Sequence, residues 1–244
     1  MTAARPASLA ASDLTIQTAR AATLDDSRDK WRSGSRKNAL DSSLRVNWRT
    51  TGDYSNGNMD TLPTDLQRLA AALDYAARRH RKQRRKNEEQ DPYINHPISL
   101  LHVLAVEAHI TDADVLCAAL LHDVIEDCAR NPEERLELAA EIERRFGARV
   151  LHIVEEVTDD KTISKADRKR AQVEHAKHLT HAAKLVKLAD KTVNLRDVVH
   201  SPPAGWPLRR RREYFDWANE VVQAIGPAHA RLRSLFDEAF AARP

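Results

Sequence analysis

The stretch AALLHDVIED, Ala118 to Asp127, places one histidine and three acids within six residues, with no lysine or arginine among them. On a helix each residue turns by about 100°, so with His122 at zero, Glu126 falls at about 40°, Asp123 at about 100° and Asp127 at about 140°. All four share one wedge, and Leu120, Leu121, Val124, Ile125 and Ala118 fill the rest of the circumference. One reading is a solvated polar stripe, but such stripes interleave cations with acids for pairing one turn apart. The apolar flanks argue for burial instead. Buried together, three carboxylates and an imidazole repel one another and lose hydration unless a cation neutralises them. A metal ion is such a cation, and a bound metal makes water available as a nucleophile at neutral pH. His122 and Asp123 supply only two ligands, so others must come from elsewhere in the chain. His96, in PYINHP, stands at the mouth of the preceding helix, with an ordinary capping or core histidine as the alternative. Asp190, in KLVKLADKTVN, interrupts the apolar stripe of Leu185, Val186, Leu188 and Ala189, with Lys187 or Lys191 as alternative partners.

These residues need helices to carry them, and the composition favours helices. The chain has 244 residues, of which 31% are charged and 5% aromatic, with only six glycines. The net charge is +3, too small by itself to argue for a nucleic-acid protein. Two cysteines, Cys117 and Cys128, build neither a disulfide framework nor a zinc cluster. No apolar run approaches the roughly 18 residues that span a bilayer, and the N-terminus lacks the apolar core of a secretory signal. A cytoplasmic protein is expected. Residues 1–60 are rich in Ser, Thr, Asn, Asp and Arg and read as disordered. Asp13, Asp25, Asp26 and Asp29 argue against a mitochondrial targeting segment there. Met59 stands just before the first strong helix and is a candidate translation start, which intact mass would settle.

From Pro63 onward the pattern predicts an all-α fold, a single domain over residues 61–244 with roughly eight to ten helices. Leu66, Leu69, Ala70, Leu73 and Ala77 fall at helical spacing behind Thr64 or Asp65 as cap. A second helix is expected from Pro97, and a third, capped by Thr111 or Asp112, runs through AALLHDVIED. A fourth spans 132–146 and ends at Gly147, and a fifth spans 150–157. HAAKLVKLADKTVNLRDVVH is another, SPPAGWP breaks the chain, and 208–241 supplies a pair hinged at Gly226-Pro227.

The order H…HD…D resembles the HD superfamily of metal-dependent phosphohydrolases. Two imidazoles and two carboxylates with open positions suit an octahedral ion such as manganese better than a closed structural zinc site. PYINHP, AALLHDVIED, VEEVTDDKTISK, KLVKLADKTVNLRD and EYFDWA, in order from about Leu66 to Phe240, resemble a narrower group. These are the short hydrolase-only members of the RelA/SpoT family, of the metazoan SpoT homologue type. The resemblance implies a helical enzyme with one manganese ion that removes pyrophosphate from the 3′ position of (p)ppGpp, leaving GDP or GTP. It also implies a second substrate, NADPH, losing its 2′-phosphate. By motif, His96, His122, Asp123 and Asp190 become the metal ligands. Glu126 becomes the water-orienting base, and Asp127 its orienting or acidic companion.

For the substrate's phosphates the resemblance implies Arg85 and Lys86 at the pocket, Tyr93 shaping it, and Lys161 and Lys165 facing the pyrophosphate. Asn194 is expected on the nucleoside, and Arg210 and Tyr214 on phosphate and sugar. Thr192-Val193 replaces larger side chains found in the family, which predicts a wider nucleoside pocket. Arg85 and Lys86 end a basic run, RRHRKQRRK over 78–86, with seven Lys or Arg in nine residues. Read alone, that run is a solvated face, a nuclear-localisation signal or a nucleic-acid patch. A basic helical nucleic-acid-binding module is therefore the non-enzymatic alternative.

Overall fold

Thr64 opens the first helix with a reciprocal cap: its hydroxyl accepts from Gln67 N–H at 3.3 Å, and Gln67 Oε1 accepts from Thr64 N–H at 2.8 Å. The computed structural model describes residues 63–244, so the expectations for residues 1–60 and for Met59 lie outside it. Helix α1 covers Asp65–Arg79 and α2 covers Asn95–His102. Pro97 therefore sits inside the first turn of α2 rather than at its first residue, still where its missing N–H costs no intrahelical bond. A widened turn over Val103–Glu107 closes α2, with Ala108 N–H reaching back five residues to the Val103 carbonyl at 2.9 Å.

Asp112 caps α3, Ala113–Leu121, whose residues are buried from Val115 to Leu121. Here the structure departs from the expected continuous helix. Helix α3 ends at Leu121, and α4, Val124–Cys128, begins only after His122 and Asp123. His122 Nδ1 lies 2.9 Å from the Ala119 carbonyl, the acceptor that Asp123 N–H would use in an unbroken helix. The side chain thus competes with the backbone, and Asp123 adopts φ −99°, ψ 0°. Glu126 and Asp127 still fall in the first turn of α4.

Asn131 caps α5, Pro132–Phe146, and Gly147 joins it directly to α6, Ala148–Val157. Gly147 has φ 98° and ψ 157°, a region open to glycine alone. The sequence reading did not include α7, Lys165–Ala176, because only Ala176 of its twelve residues is buried and no apolar stripe marks it. Its signal was the cap, Ser164 accepting from Asp167 N–H at 3.2 Å. Helix α8, His181–His200, is the spine of the domain and packs against α2, α3, α6, α9 and α10. Pro207 leads into α9, Leu208–Ile225, and Gly226 hinges it to α10, Ala230–Ala241. Among the described residues there is no named strand, only an isolated bridge between Arg84 and Pro92. No helix among them is long and apolar enough to cross a membrane.

Candidate active site

Helices α2, α3 and α8 bring His96, His122 and Asp190 together, with one ligand atom from each within 4.8 Å of the others. Both histidines are buried, at 4% and 5% exposed. His96 Nε2 stands 3.2 Å from Asp190 Oδ1, and His122 Nε2 stands 2.8 Å from Asp123 Oδ2. Octahedral bonds of about 2.1 Å place adjacent ligand atoms about 3 Å apart, so the His96–Asp190 edge suits a small cation shared with His122, while Asp123 stands against His122 outside that group of three. Despite the short approach, His122 Nε2 makes no hydrogen bond. Burial works against its imidazolium, yet the Asp123 carboxylate overrides this and lifts His122 to about 9. Asp123, with His122 against it, is held well below the usual carboxylate range, and Asp190 likewise by Lys191 and His96, in each case against the penalty of burial. The site thus calls for positive charge where a divalent ion would sit, and these donors fit one.

Other side chains brace the two carboxylates. Asn194 Nδ2 donates to Asp190 Oδ1 at 2.6 Å, and Lys191 Nζ lies 3.1 Å from Asp190 Oδ2. The Tyr93 hydroxyl donates to Asp123 Oδ2. Burial and the neighbouring acids keep that phenol protonated far past its usual range. Asp197, paired with Arg85, stands 3.8 Å from His96 Nδ1, too far for a hydrogen bond, so that nitrogen is buried without a partner.

The acidic pair lies one turn further along α4. Burial, then the Asp123 carboxylate, pushes Glu126 up to about 7, while Asp159 N–H donates to its Oε2 at 3.0 Å. Asp127 accepts from Gln83 Nε2 at 2.6 Å and pairs with Lys161 through its other oxygen. Lys161 therefore differs from its expected place. Its ammonium is spent on Asp127, 3.7 Å from Glu126 Oε1, and the residue does not line the cavity.

A cavity of about 1040 Å³ opens over the cluster. Arg85, Lys86, Tyr93, Lys165, Asn194, Arg210 and Tyr214 all line it, as the resemblance implied. Three of them are committed to protein partners: Arg85 pairs with Asp197, Tyr93 donates its hydroxyl to Asp123, and Asn194 spends one amide N–H on Asp190. Thr192 and Val193 do not line the cavity. Thr192 lies on the far side of α8 from Asp190 and Val193 within about 60° of it; they are 0% and 3% exposed, with the Thr192 hydroxyl donating to the Leu188 carbonyl at 2.9 Å. Lys165 is held below its ordinary value, first by burial and then by the charges of Arg210, Lys169 and Lys86. These cations crowd one wall, where burial and their mutual repulsion hold Lys165 and Lys169 down although Glu213 pulls Lys169 the other way.

The sequence reading missed an aromatic wall. The Arg210 guanidinium lies 4.3 Å from the Trp206 ring centre, and Tyr214 packs between Trp206 and Trp217 at 5.8 and 5.4 Å. Lys191 and Lys169 stand over Trp217 at 4.4 and 4.8 Å. Trp217 follows Tyr214 by three residues, a same-face spacing on α9 that was available as a signal. Trp206 sits in the loop before α9, where no periodicity marks it.

The basic run over 78–86 does not form a free stripe. Arg78 pairs with Asp74, Arg79 with Glu141 and Arg85 with Asp197, and Arg84 donates to the Arg81 and Gln83 carbonyls. Cys117 is buried and Cys128 half-buried, and both are free thiols outside the ligand set.

A family model for the HD domain matches residues 72–216. The chain belongs to the HD-domain family, and within it to the small hydrolases of the metazoan SpoT homologue type. It is 48% identical over 179 residues to the guanosine-3′,5′-bis(diphosphate) 3′-pyrophosphohydrolase MESH1 of Xenopus tropicalis, covering 73% of this chain and 96% of that protein. The MESH1 of Homo sapiens is also 48% identical, over 180 residues, 74% of this chain and 97% of the relative. A solved structure described as "A metazoan ortholog of SpoT hydrolyzes ppGpp and plays a role in starvation responses" is similar at TM-score 0.67 and 45% identity. The match covers 75% of this chain and 98% of that one.

Proposed function

We propose that this chain hydrolyses the 3′-pyrophosphate of guanosine tetra- and pentaphosphate, giving pyrophosphate and GDP or GTP. The observation that carries the reading is the pairing of two features in one cavity. A cation-demanding cluster of His96, His122, Asp123 and Asp190 forms the floor, and a repelling group of Lys165, Lys169, Lys86 and Arg210 forms a wall. The first suits a divalent metal, which we take to be one manganese ion, and the second suits a polyphosphate. The MESH1 relatives carry that reaction in their names.

When bound, the ion supplies the Lewis acidity that makes water a nucleophile at neutral pH and offsets phosphate charge. Glu126 accepts the proton of the attacking water, its Oε2 fixed by Asp159 so that Oε1 is the basic atom. Without an ion its carboxyl is pushed up to about 7, and a nearby cation would favour the ionised form that accepts the proton. Asp127, gripped by Gln83 and Lys161, orients the same water or returns the proton to the leaving ribose oxygen. Lys165 and Arg210 bind the phosphates, and Trp206, with the Arg210 guanidinium over its ring, forms with Tyr214 the wall beside the nucleoside.

The test is to incubate the manganese-loaded protein with ppGpp and, separately, with NADPH, and to identify the products. GDP plus pyrophosphate from ppGpp supports the reading. Release of inorganic phosphate from NADPH with ppGpp intact keeps the site and replaces the substrate. Duplex or single-stranded nucleic acid bound tightly, with neither nucleotide cleaved, would return the basic-module alternative.

A further inference from the structure

The loop after α1 carries a buried hydrogen-bonded chain aimed at the acidic pair. His80 caps α1 and is 2% exposed, and its Nδ1 lies 2.7 Å from Gln83 Oε1. Gln83 Nε2 in turn lies 2.6 Å from Asp127 Oδ2. A carboxylate only accepts, so Gln83 must present its NH₂ to Asp127 and its carbonyl to His80. That carbonyl accepts only from an N–H, so His80 must carry its proton on Nδ1. His80 Nε2 is then a bare lone pair, and it is buried without a partner. Cys128 Sγ, 3.7 Å from the same Nδ1, is a weaker second acceptor.

The same loop holds the other acid of the turn. Tyr93 N–H donates to the Gln83 carbonyl at 3.2 Å, its hydroxyl donates to Asp123, and its ring centre lies 4.9 Å from that of His80. Asp123 and Asp127 are thus each held by a neutral donor from this loop, and His80 touches both donors. The remaining grip on Asp127 comes from Lys161, whose side chain is 46% exposed. An ammonium on a flexible stem is a point charge and sets no angle, whereas a planar amide held at both ends does.

We infer that His80 is a positioning residue for the reaction: through Gln83 it fixes the direction of the Asp127 carboxylate. What Asp127 does for turnover rests on the hydrolase reading above, while the direction of the hydrogen-bonded chain does not.

Two measurements on the full chain test this. The first is nitrogen-15 NMR of the imidazoles, with His80 assigned by its loss in His80→Asn. The Nδ1–H tautomer is expected, and an Nε2–H tautomer or an imidazolium overturns the proposal whether or not the protein cleaves ppGpp. The second compares three variants by ppGpp turnover, manganese affinity and melting temperature. Asparagine places an N–H where Nδ1 stood, glutamine places one where Nε2 stood, and phenylalanine keeps the ring alone. His80→Gln and His80→Phe should lose roughly 10- to 100-fold in kcat with KM and manganese affinity held, and His80→Asn should recover most of it. Unchanged kcat in His80→Gln and His80→Phe overturns the proposal. So does a loss in all three variants that tracks melting temperature, which is packing alone. A wild-type chain inactive on ppGpp but showing the Nδ1–H tautomer refutes the function and leaves the relay standing.

Discussion

Replacing Glu126 by glutamine should stabilise the metal-free protein at alkaline pH while abolishing its catalysis. Burial strips the carboxylate of water, Asp123 repels it, and together they raise it from 4.5 to about 7. A carboxyl raised in the folded chain binds its proton more tightly there than in the unfolded chain. Between 4.5 and about 7 the folded state therefore holds the extra proton, and stability falls as pH rises through that window. Above it the cost of the charged group is on the order of 3 kcal/mol. The side chain is 17% exposed, so solvent screening removes only a small part. Glutamine has nearly the same shape, carries no charge, and can still accept from Asp159 N–H. Urea unfolding of both proteins in excess chelator, at pH 5 and pH 8, measures the effect. The advantage of Glu126→Gln over wild type should widen by roughly 2 kcal/mol between the two pH values. Added manganese should shrink it in the alkaline sample, because a nearby cation favours the carboxylate. An advantage that does not change with pH would refute the electrostatic account of this residue.

Arg210→Met should raise KM for ppGpp about tenfold or more with kcat little changed, since a charge-assisted bond of about 1.5 kcal/mol to phosphate is lost. Steady-state kinetics check it, and a fall in kcat at constant KM would move Arg210 out of the binding wall. Lys161→Met should do the reverse, lowering kcat more than it raises KM, because its ammonium holds Asp127 rather than facing the cavity. A dominant rise in KM would restore the pyrophosphate contact that the resemblance implied. Gly147→Ala should cost about 1–3 kcal/mol in chemical denaturation, purely from backbone strain at φ 98°, because an added Cβ meets nothing within 4 Å. No measurable loss would mean that the joint between α5 and α6 relaxes freely.

The helical spine was legible because its apolar residues recur at helical spacing, and its bounds were read from the sequence as His181 to His200. The candidate cluster of His96, His122 and Asp190 was legible for the converse reason: an acid in that apolar stripe and a histidine in a buried turn are local contradictions that one cation would resolve. The break at His122–Asp123 was not legible, because it comes from a side chain competing for one carbonyl, which leaves no mark on hydrophobic periodicity. Nor was α7, a polar helix held by its cap and by α9. Lys161 and Thr192 show a further limit. A motif fixes which residues stand in a segment, but their direction is set by partners on other elements, Asp127 for one and the α8 carbonyl ladder for the other. Trp206 and Gln83 lie in loops, where function depends on tertiary contacts alone.

The central claim is that His96, His122, Asp123 and Asp190 hold one divalent ion and that turnover depends on it. The most direct test is electron paramagnetic resonance titration of the chelator-treated protein with manganese, with ppGpp turnover followed in the same samples. Asp190→Ala would be run beside the wild type. The account predicts one manganese bound per chain, turnover rising in proportion to occupancy, and neither binding nor turnover in Asp190→Ala. Full turnover in the metal-stripped protein, or tight stoichiometric binding retained by Asp190→Ala, would contradict it.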